Sequence, residues 1–132
     1  MTELTECGRW LKWPGGEHNF DLGSSRAIQI LNGQMFGGMP IAFMTLGDGF
    51  LAGQFGSTPA ACLKRFQQEV YSIRDVEHVL QCGLYGAGMA ADDAVAVVKR
   101  AMVGKPLGPN AAIAYEVLAA LFIGAVDASA SA

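Results

Sequence analysis

The amino-acid sequence predicts a mainly α fold, a small helical domain of about five helices with an N-terminal β-hairpin. Three observations carry that prediction. Beyond residue 58, apolar residues recur at spacings of three and four in segments bounded by capping residues and glycines. Around Pro14-Gly15-Gly16-Glu17, Trp, Phe and Leu alternate with polar residues, the pattern of two strands joined by a tight turn. The 132 residues, 52 % hydrophobic and 16 % charged, fit one domain with a core large enough to need no metal or disulfide. That domain is expected over residues 1–127, with the Ala/Ser-rich tail 128–132 disordered because it has nothing to bury.

The elements follow in order. Strands over 9–13 and 18–22 are expected to pack Trp10, Phe20 and Leu22 on the helices, since a lone two-stranded hairpin is unstable. Packing, rather than a ligand cage, is the expected role of both tryptophans. Ser24 or Ser25 caps a short helix carrying Ala27, Ile28 and Leu31, stopped by Asn32-Gly33. Residues 37–53 show neither period, and Gly47, Gly49 and Gly53 each cost a helix about 1 kcal/mol relative to Ala. An irregular segment packed into its own core is the favoured reading there. The functional alternative is an apolar flap using Met39, Phe43 and Phe50 on a partner.

Thr58-Pro59 then opens a helix whose stripe is Leu63, Phe66 and Val70, with Lys64, Arg65, Gln67 and Gln68 exposed, running to Tyr71. Ser72-Ile73-Arg74-Asp75 opens the next. Its buried stripe is Ile73, Val76, Val79 and Leu80, its wet side Arg74, Asp75, Glu77, His78 and Gln81, and its stop is Gly83. A further helix over 90–103 has Asp92 and Asp93 in its first turn and Lys99 and Arg100 in its last, the order that suits the helix dipole, before Gly104. The final helix begins near Pro109-Asn110 and runs to about Val126. It is apolar except for Glu116, and sixteen residues rise about 24 Å, short of a hydrocarbon core of about 30 Å. A buried central helix with Glu116 facing water is therefore expected, and no membrane span.

Composition and motifs exclude several functions. A net charge of −3 without a Lys/Arg cluster argues against nucleic acid as a ligand. Cys7, Cys62 and Cys82 lack Cys-x-x-Cys spacing and suit reduced thiols, and the polar, acidic residues 1–6 do not read as a signal peptide, so a cytoplasmic location is expected. His78 and Cys82 lie four apart, yet only His18, Cys7 or Cys62 could complete a zinc site; a surface histidine beside a buried cysteine is the simpler reading, and no metal is expected. Gly83, Gly86 and Gly88 lack the preceding strand or the Lys-Ser/Thr pair of a phosphate cradle, so they read as a structural turn bringing Leu84 and Tyr85 close to the core. No catalytic motif is present, the adjacent Asp92 and Asp93 point in different directions, and neither enzyme activity nor a cofactor is expected.

One stretch carries a family resemblance. Asp75-Val76-Glu77-His78-Val79-Leu80-Gln81-Cys82 followed by Gly83-Leu84-Tyr85-Gly86-Ala87-Gly88-Met89, then an acid-bearing helix, Pro106-Leu107 and an alanine-rich helix ending at Gly124, resembles the tail assembly chaperones of tailed phages and gene transfer agents. The opening Trp13-Pro14-Gly15-Gly16-Glu17-His18-Asn19-Phe20-Asp21-Leu22 is similar as well, so the likeness covers roughly residues 8–32 and 73–124. Ala87 stands where that family has glycine, and 33–58 is longer and richer in glycine. The resemblance implies a non-catalytic protein that binds the apolar tape measure protein and helps recruit tail tube subunits; self-association is left open. Candidate contacts are Met39, Phe43, Phe50, Leu84, Tyr85 and Phe122. The alternative is a structural tail or head-tail connection subunit retained in the particle.

Overall fold

The computed structural model describes residues 5–27, 53–56 and 58–124. The fold is mainly α with an N-terminal antiparallel hairpin. Expectations for the segment 28–52, including Met39, Phe43 and Phe50, and for the tail 128–132 lie outside the described residues.

Strands β1 (Gly8–Trp13) and β2 (Gly16–Asp21) pair with Trp13 opposite Gly16, so Pro14-Gly15 forms a two-residue turn. That register decides which side chains are buried. Odd positions of β1 pair with even positions of β2, as Arg9 with Phe20 and Leu11 with His18, and even with odd, as Trp10 with Asn19, so the two sets lie on opposite faces. Trp13 therefore shares the inner face with Phe20 and meets it edge-on at 5.3 Å, while its Nε1 donates to His18 Nδ1 at 2.9 Å. Trp10 pairs with Asn19 on the opposite face and is 67 % exposed. The expectation that Trp10 packs on the helices is thereby corrected; Phe20 and Leu22 do so, both fully buried.

Residues 25–27 are helical behind Ser24, whose Oγ accepts from the Ala27 amide at 3.3 Å. Helix α1 (Pro59–Gln67) starts as expected, with Thr58 Oγ1 accepting from the Ala61 amide at 3.1 Å. It ends at Gln67, short of Tyr71: Glu69 takes a left-handed φ of 62°, the Val70 amide turns back to the Arg65 carbonyl, and Val70 is left exposed. Arg65 is also corrected, from exposed to buried. Its guanidinium forms a bidentate pair with Asp75, Nε to Oδ2 and Nη2 to Oδ1 both at 2.8 Å. Its Nη1 donates to the carbonyls of Gln54 at 3.1 Å and Gly56 at 3.0 Å.

Helix α2 (Ile73–Gly86) opens with a full capping box in which Ser72 Oγ accepts from the Asp75 amide and Asp75 accepts from the Ser72 amide, both at 3.0 Å. It is the most enclosed helix. Strand β2 and helices α3 (Ala91–Met102) and α4 (Leu107–Ile123) all pack on it. Val76, Val79, Leu80 and Leu84 are buried as the spacing predicts, but so are Asp75, His78 and Gln81, whereas Ile73 is exposed. An amphipathic reading fails for a helix enclosed on several sides, because polar positions are then buried by different neighbours.

Helix α3 carries Asp92 and Asp93 first and Lys99 and Arg100 last, and Gly104 follows at a φ of 76°. Helix α4 starts at Leu107, with Pro109 in its first turn where a missing amide costs nothing, and stops at Gly124. Ala111, Ala114, Val117 and Leu118 are buried, and Asn110 Nδ2 donates to the Ala101 carbonyl at 3.0 Å, tying α4 to α3. Its other side shows Tyr115, Phe122 and Ile123 to solvent, so α4, although every other element packs on it, is only half-buried. Glu116 is exposed, as expected. Among the described residues, no helix is long and apolar enough to cross a membrane.

Candidate partner-contact surface

The glycine-rich run 83–89 is the end of α2 and the seat for the chain leaving the hairpin. Gly83 does not stop the helix, which continues to Gly86. A Cβ on Gly83 would lie 3.1 Å from both the Phe20 and Val117 side chains; on Gly86 it would collide with the Asp21 carbonyl and lie 2.8 Å from the Ala27 Cβ. Both glycines therefore serve close approach. The stop is Gly88, at a φ of 114°, where the Gly88 and Met89 amides return to the Tyr85 and Leu84 carbonyls at 3.0 Å.

Carbonyls at the helix end also accept from the segment after β2. Ser24 Oγ donates to the Gly86 carbonyl at 2.6 Å, and Arg26 donates to those of Tyr85 at 2.8 Å and Met89 at 3.0 Å. The Arg26 guanidinium also lies 4.1 Å above the Tyr85 ring. Asp21, fully buried, accepts from Thr5 Oγ1 and from the Gly23 amide. Thus the two blocks of sequence that carried the family resemblance meet in space.

Beside this seat lies an open groove of about 460 Å³. One wall is the hairpin, with Trp10, Glu17, His18 and Asn19; the other is the end of α2, with Leu84, Ala87, Gly88 and Met89. An exposed tryptophan over an apolar cleft suits a side chain or helix edge from another protein. Of the expected contacts, Leu84 is 1 % exposed and lines this groove, Tyr85 is half-buried under Arg26, and Phe122 is exposed on α4 outside it. The residue that sequence reasoning missed is Trp10, although pairing parity across a two-residue turn holds the signal. A second groove of about 400 Å³ lies where α1 meets α4. It is walled by Phe66 and Tyr71, whose rings stack at 4.8 Å, and floored by Gly108, Ala111 and Ala112.

The ionisable groups inside offer little proton chemistry near neutral pH. Burial pushes the Cys82 thiol up to about 12, and burial with the nearby Asp75 charge does the same for Cys62. The expectation of a surface histidine is corrected: His78 is buried, and burial, helped by Arg74, lowers its pKa to about 4, so the imidazole is neutral. Among the described residues, no three of His, Cys, Asp and Glu gather closely enough to hold a metal ion. What this surface can do is make apolar and polar contacts with another chain.

The family model described as "phage tail tube protein, GTA-gp10" matches residues 9–124. The chain belongs to this family. The match runs from the first hairpin strand to the Gly124 that ends α4, so it takes in the groove, the glycine seat and the outer face of α4. The GTA-gp10 family is a phage and gene transfer agent tail family, and at that level the likeness read from 73–89 holds; its description names the tail tube, not a chaperone. No curated protein and no solved structure matches the chain.

Proposed function

We propose that this chain is a non-catalytic subunit of the phage or gene transfer agent tail, acting through protein contacts in building the tail tube. The observation that carries the reading is the match of 9–124 to a family described by the tail tube. The Trp10–Leu84–Met89 groove supports a contact role, because an indole two-thirds exposed beside an apolar cleft gains from being covered. Its partners are then other tail proteins, tube subunits first, met in the cytoplasm of the producing cell; residues 1–127 act as one domain.

A second reading is favoured by the run 83–89 and by that same open groove: a tail assembly chaperone that holds the apolar tape measure protein and is released before the particle is complete. The two readings part on one experiment. In mass spectrometry of purified particles, a tube subunit is present in many copies, whereas a released chaperone is absent and instead co-elutes with the tape measure protein on co-expression.

A further inference from the structure

The outer face of α4 has a pattern that the groove beside the hairpin does not use. Ala112, Tyr115, Ala119 and Phe122 follow one another at spacings of three, four and three, the repeat of a helix pair's seam. They lie on the side of the helix away from Ala114, Val117 and Leu118, which are buried. Tyr115 is 40 % and Phe122 48 % exposed. Small and large side chains alternate along this stripe, and the alternation is self-complementary when the helix is laid antiparallel on a second copy. With a two-fold axis at the level of Val117, Phe122 faces Ala112 and Tyr115 faces Ala119, so every layer sets an aromatic ring against a methyl group. The receiving hole is already open. The groove between α1 and α4, about 400 Å³ and lined by Phe66, Glu69, Tyr71, Gly108, Ala112 and Tyr115, lies where the other copy's Phe122 would arrive.

We propose that α4 is the contact surface between two copies of this chain, packed antiparallel about that axis. Knob and hole sit on one helix face ten residues apart, about 15 Å along the axis, in the order that a two-fold operation requires. A helix from another protein would have no reason to match both ends. The small residues let the helix axes come within about 8–10 Å. The exposed fractions of Tyr115 and Phe122, on rings of about 200 Å² each, supply roughly 350 Å² over both copies, and with the rim this is a small interface of the weak, reversible kind, below about 1,200 Å². The inference stands whether the chain is retained in the particle or released.

Sedimentation velocity on the full chain over a dilution series tests it. The expected result is a reversible monomer–dimer equilibrium, weakened at least tenfold by Phe122→Asp and unchanged by Ile73→Asp, a change on an exposed residue outside both grooves, with circular dichroism showing that both variants keep their helix content. In a Cys7→Ser background, a mixture of Ala112→Cys and Phe122→Cys chains should form a disulfide-linked dimer that neither gives alone. A monomer at every concentration overturns the proposal, as does a dimer indifferent to Phe122→Asp. Cross-linking by the single variants and not by the mixture also overturns it, as does a monomer whose Phe122 face binds another tail protein instead.

Discussion

Replacing Arg65 by Met leaves a side chain of similar reach but removes the charge that Asp75 was paired with. The structure fixes the size of the effect. Two charge-assisted hydrogen bonds of 2.8 Å disappear, along with those to the carbonyls of Gln54 and Gly56, and Asp75 stays behind in a site where both partners' side chains are 2–3 % exposed. Its remaining donor named above is the Ser72 amide. Breaking a buried pair from one side costs about 3–5 kcal/mol, because the surviving charge is left without its counterion. Against a total stability of about 5–15 kcal/mol this is a large fraction. With a urea slope of about 2 kcal/mol per M, the unfolding midpoint of Arg65→Met should fall by roughly 2 M. Arg65→Met with Asp75→Asn should recover part of that loss, since an amide still accepts from Ser72 and carries no charge. A midpoint within about 0.3 M of the parent would show that the pair contributes only what a surface ion pair does, and would refute the reasoning.

Further outcomes follow from the same geometry. Gly86→Ala should destabilise more than Gly83→Ala in the same melt: the first drives a methyl into the Asp21 backbone, the second only crowds the Phe20 and Val117 side chains, and equal losses would contradict the seat described for the hairpin exit. Gly104→Ala meets no neighbouring atom but sits at a φ of 76°, so it should cost about 1 kcal/mol through backbone strain alone. For His78, the folded pKa of about 4 lies below the ordinary histidine value of about 6.5, so the unfolded chain binds the extra proton first. Stability is therefore lost as pH falls from about 6.5 towards 4, at up to about 1.4 kcal/mol per pH unit, and the gap between parent and His78→Leu urea midpoints should change over that window; a constant gap would place the imidazole in water. Trp10→Lys should leave the unfolding free energy within about 0.5 kcal/mol of the parent, as exposed positions do, while weakening capture of a tail partner, measured by co-elution.

How much of this was legible in the sequence depended on how local each signal is. Thr58-Pro59, the Ser72/Asp75 box, the Asp92-Asp93 and Lys99-Arg100 ends and the stop at Gly104 are written in adjacent residues, and the helix ends they predict lie within a few positions of those observed, whereas the last helix, expected to run to about Val126, stops at Gly124. Arg65 and Asp75 read as exposed because their partners are each other, ten positions apart, and only the fold brings the two side chains together. Gly83 read as a helix stop because glycine is permissive in two senses. Here it admits Phe20 and Val117, and the positive φ is taken five residues later by Gly88. The apolar last helix read as the core, yet the enclosed helix is the more polar α2, whose Asp75 is held by a specific partner. For the contact surface, Leu84, Tyr85 and Phe122 were named from apolar excess alone, while Trp10 needed the hairpin register.

The most direct test of the tail-tube reading is quantitative mass spectrometry of particles purified from a producing strain, with this chain counted against the other tail proteins. A tail subunit predicts many copies per particle, in fixed proportion to the tube. Its absence from intact particles, with the chain found instead in the cell extract beside the tape measure protein, would contradict the account and make it a chaperone.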